Sequence, residues 1–542
     1  MRIIKRKFVV PVQFVLIVYM FFVPKNAGLA VEIITPNVFT NGEQVSLTLL
    51  NENFDKLYSS VNEWLPIFGQ EQIIQAHALL AGQPANADHL NANFEQLRLA
   101  MNLLLSELQQ GEIPILFQLK NGQSANASQI NQIFDAMISA ANFVSLSQNF
   151  EGLYDKLNGW LIKVNQPEMT KPESFLSCNE LGADQVNQNF DQLYAAVNYL
   201  LIGRHQPAAT KPYHFIDSTQ CKTTQLNQNF IVLFSATNEL DTFFNGIVER
   251  RIPDTGQTTC YNNITEPLST CPAPGEPLAQ DGSYTINPPS YSDNGNGTVT
   301  DNITNLIWQQ TDDNTKRTWD LAVNYCESNV AGLPGSDWRL PNARELASIH
   351  DLEKFDYAIN NAFSISDEMY WSSTTIVDSI DLAHIVRFYD GDLSMGRKTD
   401  KYYVRCVRGG EIKQSNAFFD NTDGTVTDLS SGLTWQQDES STMVWEYALN
   451  YCETESNFGG NSNWRLPNIN ELESLFNYSK TYPSIDQTFF PNIGFCRHCW
   501  YWSSTTRSSN SFGKWVARFD KATTYYTPMN DEWYVRCVRG GQ

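Results

Sequence analysis

Residues 337–349 read DWRLPNARELASI, and residues 463–475 read NWRLPNINELESL. Each opens on Trp-Arg-Leu-Pro and runs into apolar residues at helical spacing. Asn342 stands three before Glu345, and Asn468 three before Glu471. At that spacing an N-cap side chain and the third helical residue satisfy each other's free N–H groups, so both stretches predict a helix start. Outward from this pair the matches continue. DNGNGTVTDNITNLIWQQ from Asp293 matches DNTDGTVTDLSSGLTWQQ from Asp420, and WDLAVNYC ending at Cys326 matches WEYALNYC ending at Cys452. YWSSTT recurs at Tyr370 and Tyr501, and YYVRCVRGG ending at Gly410 matches WYVRCVRGG ending at Gly541. The second half is therefore a tandem of two modules, residues 284–410 and 417–541.

Within one module GTVTD and LIWQQ read as strands around a turn, while YWSST, HIVRF and YYVRCVR alternate like strands. WDLAVNYC carries Trp319, Ala322, Val323 and Cys326 on one side of a helix. Cys326 on that helix can reach Cys406 on the last strand, and Cys452 and Cys537 are the equivalent pair. Such long-loop bridges contribute roughly 3–5 kcal/mol each in the chain-entropy model. Arg339 with Glu345, and Arg465 with Glu471, read as interior pairs.

Residues 31–250 carry a different repeat. LLNENFDKLYSSVNEWL from Leu49 recurs in six copies, aligned on Asn51, Asn91, Asn131, Ser147, Asn187 and Asn227. The spacing is 40 residues within each group of three, as if a three-repeat block had been duplicated. Apolar residues at alternating four and three spacing, such as Leu90, Phe94, Leu97, Met101 and Leu104, predict short helices with a narrow seam. Helices this short are marginal alone. The seam packs either on sister repeats as a monomeric array or between chains as a homotrimeric stalk. Asn91, Asn93 and Asn102 beside it read as helix caps or as register-setting layers between chains. Short extended stretches such as Ile113–Leu119 and Lys211–Ile216 lie between helices.

The remaining segments follow. Arg2, Lys5, Arg6 and Lys7 precede an apolar run from Phe8 to Val23, and small residues end at Ala30, which is the layout of a secretory signal peptide over residues 1–30. No later segment is long and apolar enough to span a membrane. Residues 251–283, rich in Pro and Thr, read as a linker with a Cys260–Cys271 loop. Ten cysteines in a secreted chain point to disulfides. Cys178 and Cys221 sit in neighbouring repeats, their pairing open. Cys496 and Cys499 form CRHC around His498, read as a local disulfide rather than a redox or metal site.

The chain has 542 residues, 12% of them aromatic, and a formal net charge of −22. That charge argues against nucleic acid or an anionic membrane surface as partner. No GxSxG, HExxH or P-loop occurs, and with seven His in the chain no enzyme is expected.

The GTVTD…W, WRLP, YWSST and VRCVR stretches together resemble the Lcl C-terminal domain family, named after the Legionella collagen-like adhesin, over about 250 residues. The major paralogous domain of Fibrobacter shares WRLP and YWSS. The helix-to-last-strand disulfide is similar to the C-type lectin-like fold. The resemblance implies an α+β chain: an α-helical repeat array, then two disulfide-bonded C-type lectin-like modules. It further implies a secreted or cell-surface adhesin whose tip binds glycans or another surface ligand. The alternative is a structural or assembly protein of a fibre or envelope that binds protein. The NxNFxxL helices are similar to parts of phage tail fibres and bacterial surface fibres. This chain departs in having two tip modules and in its acidity, which opposes a sulfated polysaccharide.

Two candidate sites follow. Tyr370, Trp371, Tyr501 and Trp502 offer stacking surfaces for sugar, or fill the core. Asp293, Asn294, Asn296 and Asp301, with Asp420, Asn421, Asp423 and Asp428, offer oxygen ligands for calcium, or hold Gly-containing turns. The EF-hand spacing is absent, as are the EPN, QPD and WND triplets of sugar-chelating lectins.

Overall fold

A computed structural model describes residues 47–66, 70–75, 87–107, 127–170, 178–212, 214, 223–262, 266–354, 357–365, 369–413, 417–493, 499–508 and 511–541. The signal-peptide reading, the Ile113–Leu119 stretch, Cys221, Cys496 and His498 lie outside these residues. The chain forms two compact units, a helical one and one holding both modules. Among the described residues no helix is long and apolar enough to cross a membrane.

The helical unit contains α1 (Leu47–Trp64), α2 (Ala87–Glu107), α3 (Ala127–Lys163), α4 (Cys178–Ile202) and α5 (Thr223–Asn245). The seams close on sister repeats of the same chain. The rings of Phe54, Phe94 and Phe134 meet at 4.9, 5.2 and 5.0 Å between centroids. Phe150, Phe190 and Phe230 meet at 4.9, 4.9 and 5.0 Å. Each block of three repeats is thus a three-helix bundle around a triad of equivalent rings. The two blocks share α3, whose first half supplies Phe134 and whose second half supplies Phe150. Sixteen residues at about 100° each turn the second seam nearly to the opposite face, and about 24 Å along.

Polar side chains complete each bundle. The Asn preceding the seam Phe is buried at Asn53, Asn93, Asn149, Asn189 and Asn229, and Ile133 takes that place in the third copy. Tyr58 donates to Gln96 Oε1 at 2.9 Å, Tyr154 to Gln192 Oε1 at 2.8 Å and Tyr194 to the Asn229 carbonyl at 2.9 Å, each reaching the next repeat. A second Asn pins the connector 11 residues on. Asn62 exchanges two hydrogen bonds with the Ile73 backbone, Asn158 with Met169 and Asn198 with Ala209. Asn62, Asn158 and Asn198 therefore tie helix to connector rather than capping a helix. A primary amide has both donor and acceptor, so it stands in for a strand partner where no sheet exists.

Phe190 is fully buried between its two sister rings. Phe190→Ala should destabilise the helical unit by about 3–5 kcal/mol. Circular dichroism melts of the full chain should show its helical transition about 10 °C lower; an unmoved transition would remove the triad as the centre of the bundle.

The second unit holds both modules. In module 1, β1 (Tyr291–Asp293), β2 (Thr298–Asp301), β3 (Ile307–Gln309) and β7 (Val407–Arg408) form one antiparallel sheet in the order β1-β2-β3-β7. The register pairs Val299 with Trp308 and Trp308 with Val407, so the last strand returns beside the first hairpin. A meander of β4 (Met369–Ile376), β5 (Ser379–Arg387) and β6 (Asp392–Arg397) forms the second sheet. Helices α6 (Trp319–Glu327) and α7 (Ala343–Ala347) lie between. Module 2 repeats this with β8 (Phe418–Asp420), β9 (Thr425–Asp428), β10 (Leu433–Gln436) and β14 (Val538–Gly540), the meander β11 (Trp500–Thr506), β12 (Gly513–Arg518) and β13 (Thr523–Pro528), and helices α8 (Trp445–Asn450) and α9 (Ile469–Ser474). The segment YYVRC, expected as strand, makes only isolated bridges, at Tyr402 and Tyr403. Arg405, at its centre, points inward.

Disulfides join Cys326 to Cys406, Cys452 to Cys537 and Cys260 to Cys271. Cys499 is also disulfide-bonded. Both capping boxes form, Asn342 with Glu345 and Asn468 with Glu471.

The modules are not beads on a string. One continuous core contains Leu346, Phe388 and Leu393 of module 1 together with Leu472, Phe476 and Phe519 of module 2. The Leu393 N–H donates to Thr524 Oγ1 at 2.8 Å. Leu393 and Thr524 are separated as Cys406 and Cys537 are, so equivalent positions face each other as across a two-fold axis. Residues 251–283 are likewise no tether. Gln257 exchanges two 2.8 Å hydrogen bonds with the Thr506 backbone, and Asp281 accepts from Thr255 and Thr505 at 2.7 and 2.6 Å. Thr258 and Thr259 also donate to Glu353 of module 1, so the segment is a strap bonded to both modules, because its buried polar groups need partners that water cannot supply there.

Candidate functional site

The sugar-platform candidates lie in the interior. Tyr370, Trp371, Tyr501 and Trp502 are each 0% exposed. The indole N–H of Trp371 donates to the Arg317 carbonyl at 2.8 Å, and that of Trp502 to the Met443 carbonyl at 2.7 Å. The Tyr370 hydroxyl donates to Asp312 and that of Tyr501 to Glu439. No face of these rings is presented to a ligand, which corrects the stacking reading. Strand alternation could not distinguish an inward ring from an outward one.

The YWSST tyrosines instead build a buried arginine site in each module. Arg405 is 0% exposed and donates to the carbonyls of Gln309, Gln310 and Ser364, each at 2.6 Å. It lies over the rings of Phe363 and Tyr370 at 5.1 and 5.6 Å. Arg536 repeats the arrangement with the carbonyls of Gln436 and Gln437 and the rings of Phe490 and Tyr501. Arg339 pairs bidentately with Glu345 at 2.6 and 2.7 Å, and Arg465 with Glu471 at 2.6 Å twice. These arrangements are architectural.

The calcium candidates divide in each module. Asp293 Oδ1 accepts from the Gly295 N–H at 2.8 Å, Asn294 donates to Thr298 and Thr300, and Asn296 accepts from Thr298. Asp301 stands at the far end of β2, opposite Tyr291, and accepts from Ile303 and Thr304. In module 2 Asp420 accepts from Thr422, Asn421 donates to Thr425 and Thr427, and Asp423 accepts from Thr425. Asp428 accepts from Ser430 and Ser431 at the other end of β9. These oxygens hold turns, and the hairpin keeps Asp301 and Asp428 away from the loop residues. Among the described residues no three His, Cys, Asp or Glu side chains gather as metal ligands.

A different site is built where the modules meet. Helices α7 and α9 face one another, and the strap crosses beside them at residues 250–253. Together they line a pocket of about 40 Å³ that opens to solvent. Arg344 on α7 donates to the carbonyls of Ser474 and Phe476, both at 2.7 Å. Burial holds its guanidinium below the ordinary value. Arg250 is lowered too, by burial and then by Arg344. Arg251 adds a third guanidinium at the rim, where it is exposed. Across the pocket Glu473 is 4% exposed, and burial pushes its carboxyl up to about 8 against the opposing pull of Arg344. Asn470 donates to the Pro253 carbonyl at 3.0 Å, while its Oδ1 is buried without a partner among the described residues.

Of the residues lining this pocket the sequence reading singled out only Asp428, and that as a calcium ligand. The signal was a departure from the repeat. Along the paired helices, Arg344 stands against Asn470 and Ala347 against Glu473. Module 1 gives the arginine and module 2 the acid and the amide. At these two positions the copies differ in charge, whereas their other differences, Ala343 against Ile469 and Ile349 against Leu475, exchange one apolar residue for another.

A search of curated proteins returns no significant match. Residues 297–408 and 424–539 each match the model of the Lcl C-terminal domain family. The chain therefore carries two Lcl C-terminal domains in tandem, fused here through one shared core.

Proposed function

We propose that the chain is a secreted or cell-surface protein in which the helical array carries a two-module, lectin-like head that binds glycans or another surface ligand. The observation that carries this is the tandem of Lcl C-terminal domains, a domain associated with adhesin-like proteins, locked as one body. The disulfides and the lack of a membrane-crossing helix among the described residues agree with an extracellular place. The bridge from α6 to the segment before β7, and the pairing of β7 with β3, support a C-type lectin-like fold. The seam of each helical block is filled by its own chain, which supports a monomeric array over a homotrimeric stalk. The reading is of a binding head rather than an enzyme, and burial presses its His350 and His384 down to about 3, which takes both out of acid–base work near neutral pH.

The test is a glycan and polysaccharide array probed with the full chain, in calcium and in EDTA. Binding to a defined set of sugars is the expected result. Loss of that binding in EDTA would bring calcium back as a cofactor through the hairpin loops. Silence on every sugar would favour the other reading, a protein-binding component of a fibre or envelope.

A further inference from the structure

The inter-module pocket has an unbalanced electrostatic design. Three guanidiniums, Arg250, Arg251 and Arg344, line it. Among the described residues none of them forms an ion pair. Of the two acids in the lining, Asp428 is engaged by the Ser430 N–H and the hydroxyls of Ser430 and Ser431. The other acid, Glu473, is buried, and its carboxyl faces Arg344. Burial lowers Arg344 and Arg250 even though Asp428 attracts both, so positive charge there is only partly compensated, and a bound anion relieves the remaining cost. The chain as a whole is acidic, at −22, so a cationic pocket runs against the general surface rather than following from it.

The uncharged groups narrow the ligand. Arg344 spends two of its five N–H groups on carbonyls, which leaves three to direct at an acceptor. A planar guanidinium fork matches a carboxylate in two parallel hydrogen bonds. Asn470 Oδ1 is an acceptor without a donor, and the Glu473 carboxyl both donates and accepts when neutral. These two groups call for hydroxyls. The pocket opens to solvent, so a ligand can seat its charged group inside while the rest of it extends outward.

We propose that this pocket binds a carboxylate-bearing sugar, of the uronic acid class, with the carboxylate seated on Arg250, Arg251 and Arg344 and the ring hydroxyls on Asn470 and Glu473. It rests on the reading of the tandem as a binding head and gives that head its ligand class. The site belongs to the pair of modules, since neither module alone contributes both the arginine and the acid.

The experiment is isothermal titration of the full chain at neutral pH with methyl glucuronide, methyl glucoside and acetate. Methyl glucuronide should bind at least about tenfold tighter than either of the others, because only it carries both carboxylate and hydroxyls. Arg251→Glu, a change at an exposed position, should weaken the glucuronide by about tenfold or more while leaving the melting temperature in place. Arg250→Ala is the second variant and should weaken it in the same direction. Equal binding of glucuronide and glucoside would overturn the proposal, as would acetate binding as tightly as glucuronide, or glucuronide binding indifferent to both variants. If glucuronide fails while neutral glycans bind on the array, the pocket loses its ligand and the binding head stands. If nothing binds in either assay, both readings fall.

Discussion

Arg405→Ala should lower the melting temperature of the two-module unit by about 10 °C. The guanidinium is fully buried, and three main-chain carbonyls and two aromatic rings surround it. Truncation leaves the Gln309, Gln310 and Ser364 carbonyls without their donor. It also leaves Asp312 without the nearby positive charge that faces it and Tyr370. Losing one member of a buried charged network costs about 3–5 kcal/mol. For a unit of this size each kcal/mol moves the transition by about 2–4 °C. Arg405→Lys keeps the charge, but an ammonium cannot reach three carbonyls through a planar fork, so it should recover only part of the loss. Arg536→Ala should behave alike, and because the modules share a core, both variants should shift one common transition. Calorimetry decides this. A variant within about 2 °C of the parent would show that the arginine is not a keystone. Two separate transitions would show that the modules melt independently.

The same unit should be more stable in mild acid than in mild base. Burial raises Asp254 to about 6, Asp392 to about 7, Glu453 to about 7 and Glu473 to about 8. Unfolded carboxyls titrate near 4. The folded state therefore holds more protons than the unfolded state between about pH 4 and pH 8. Stability falls with rising pH wherever that is so. The contribution is whole below the unfolded value and is lost as pH climbs through the folded ones. Arg387, 3.3 Å from Asp392, and the Tyr284 hydroxyl on Glu453 offset burial only in part. The acidic net charge adds repulsion in the same direction. Discounted for water penetration, the sum is a few kcal/mol, so the melting temperature should drop by on the order of 10 °C between pH 5 and pH 8.5. The pair Asp392→Asn with Glu473→Gln should flatten that slope. A unit that instead loses stability from pH 8.5 to pH 5 would show these carboxyls to be ionised and compensated in the fold.

Much of the local structure was legible in the sequence because short-range chemistry writes it there. Asn342 and Glu345 form their capping box through a three-residue spacing that needs no other part of the chain. The seam phenylalanines declared themselves by helical period, and the duplicated motifs exposed two modules and the equivalent cysteines. Hairpins such as β1-β2 followed from a Gly-containing turn between alternating residues.

Which neighbour each surface meets was not written locally. Seam periodicity is the same whether a helix packs on its own chain or another, and only the converging Phe54, Phe94 and Phe134 rings place it within one chain. A motif such as VRCVR carries no mark that Arg405 turns inward, because its carbonyl partners lie about 40 and 95 residues away. Trp371 and Trp502 looked alike as platforms or as core, and burial made them core. The strap read as a linker because its partners, Thr505 and Thr506, are more than 220 residues distant. The pocket is the extreme case. Arg344 and Glu473 come from different modules, and only the shared core that docks α7 against α9 sets an unpaired arginine opposite a buried acid. Sequence alone determined the helical repeats, the two modules and their bridges, since each depends on spacing along the chain. The tertiary structure decided the bundles, the fused head and its pocket, since each depends on which buried groups can find partners only across the fold.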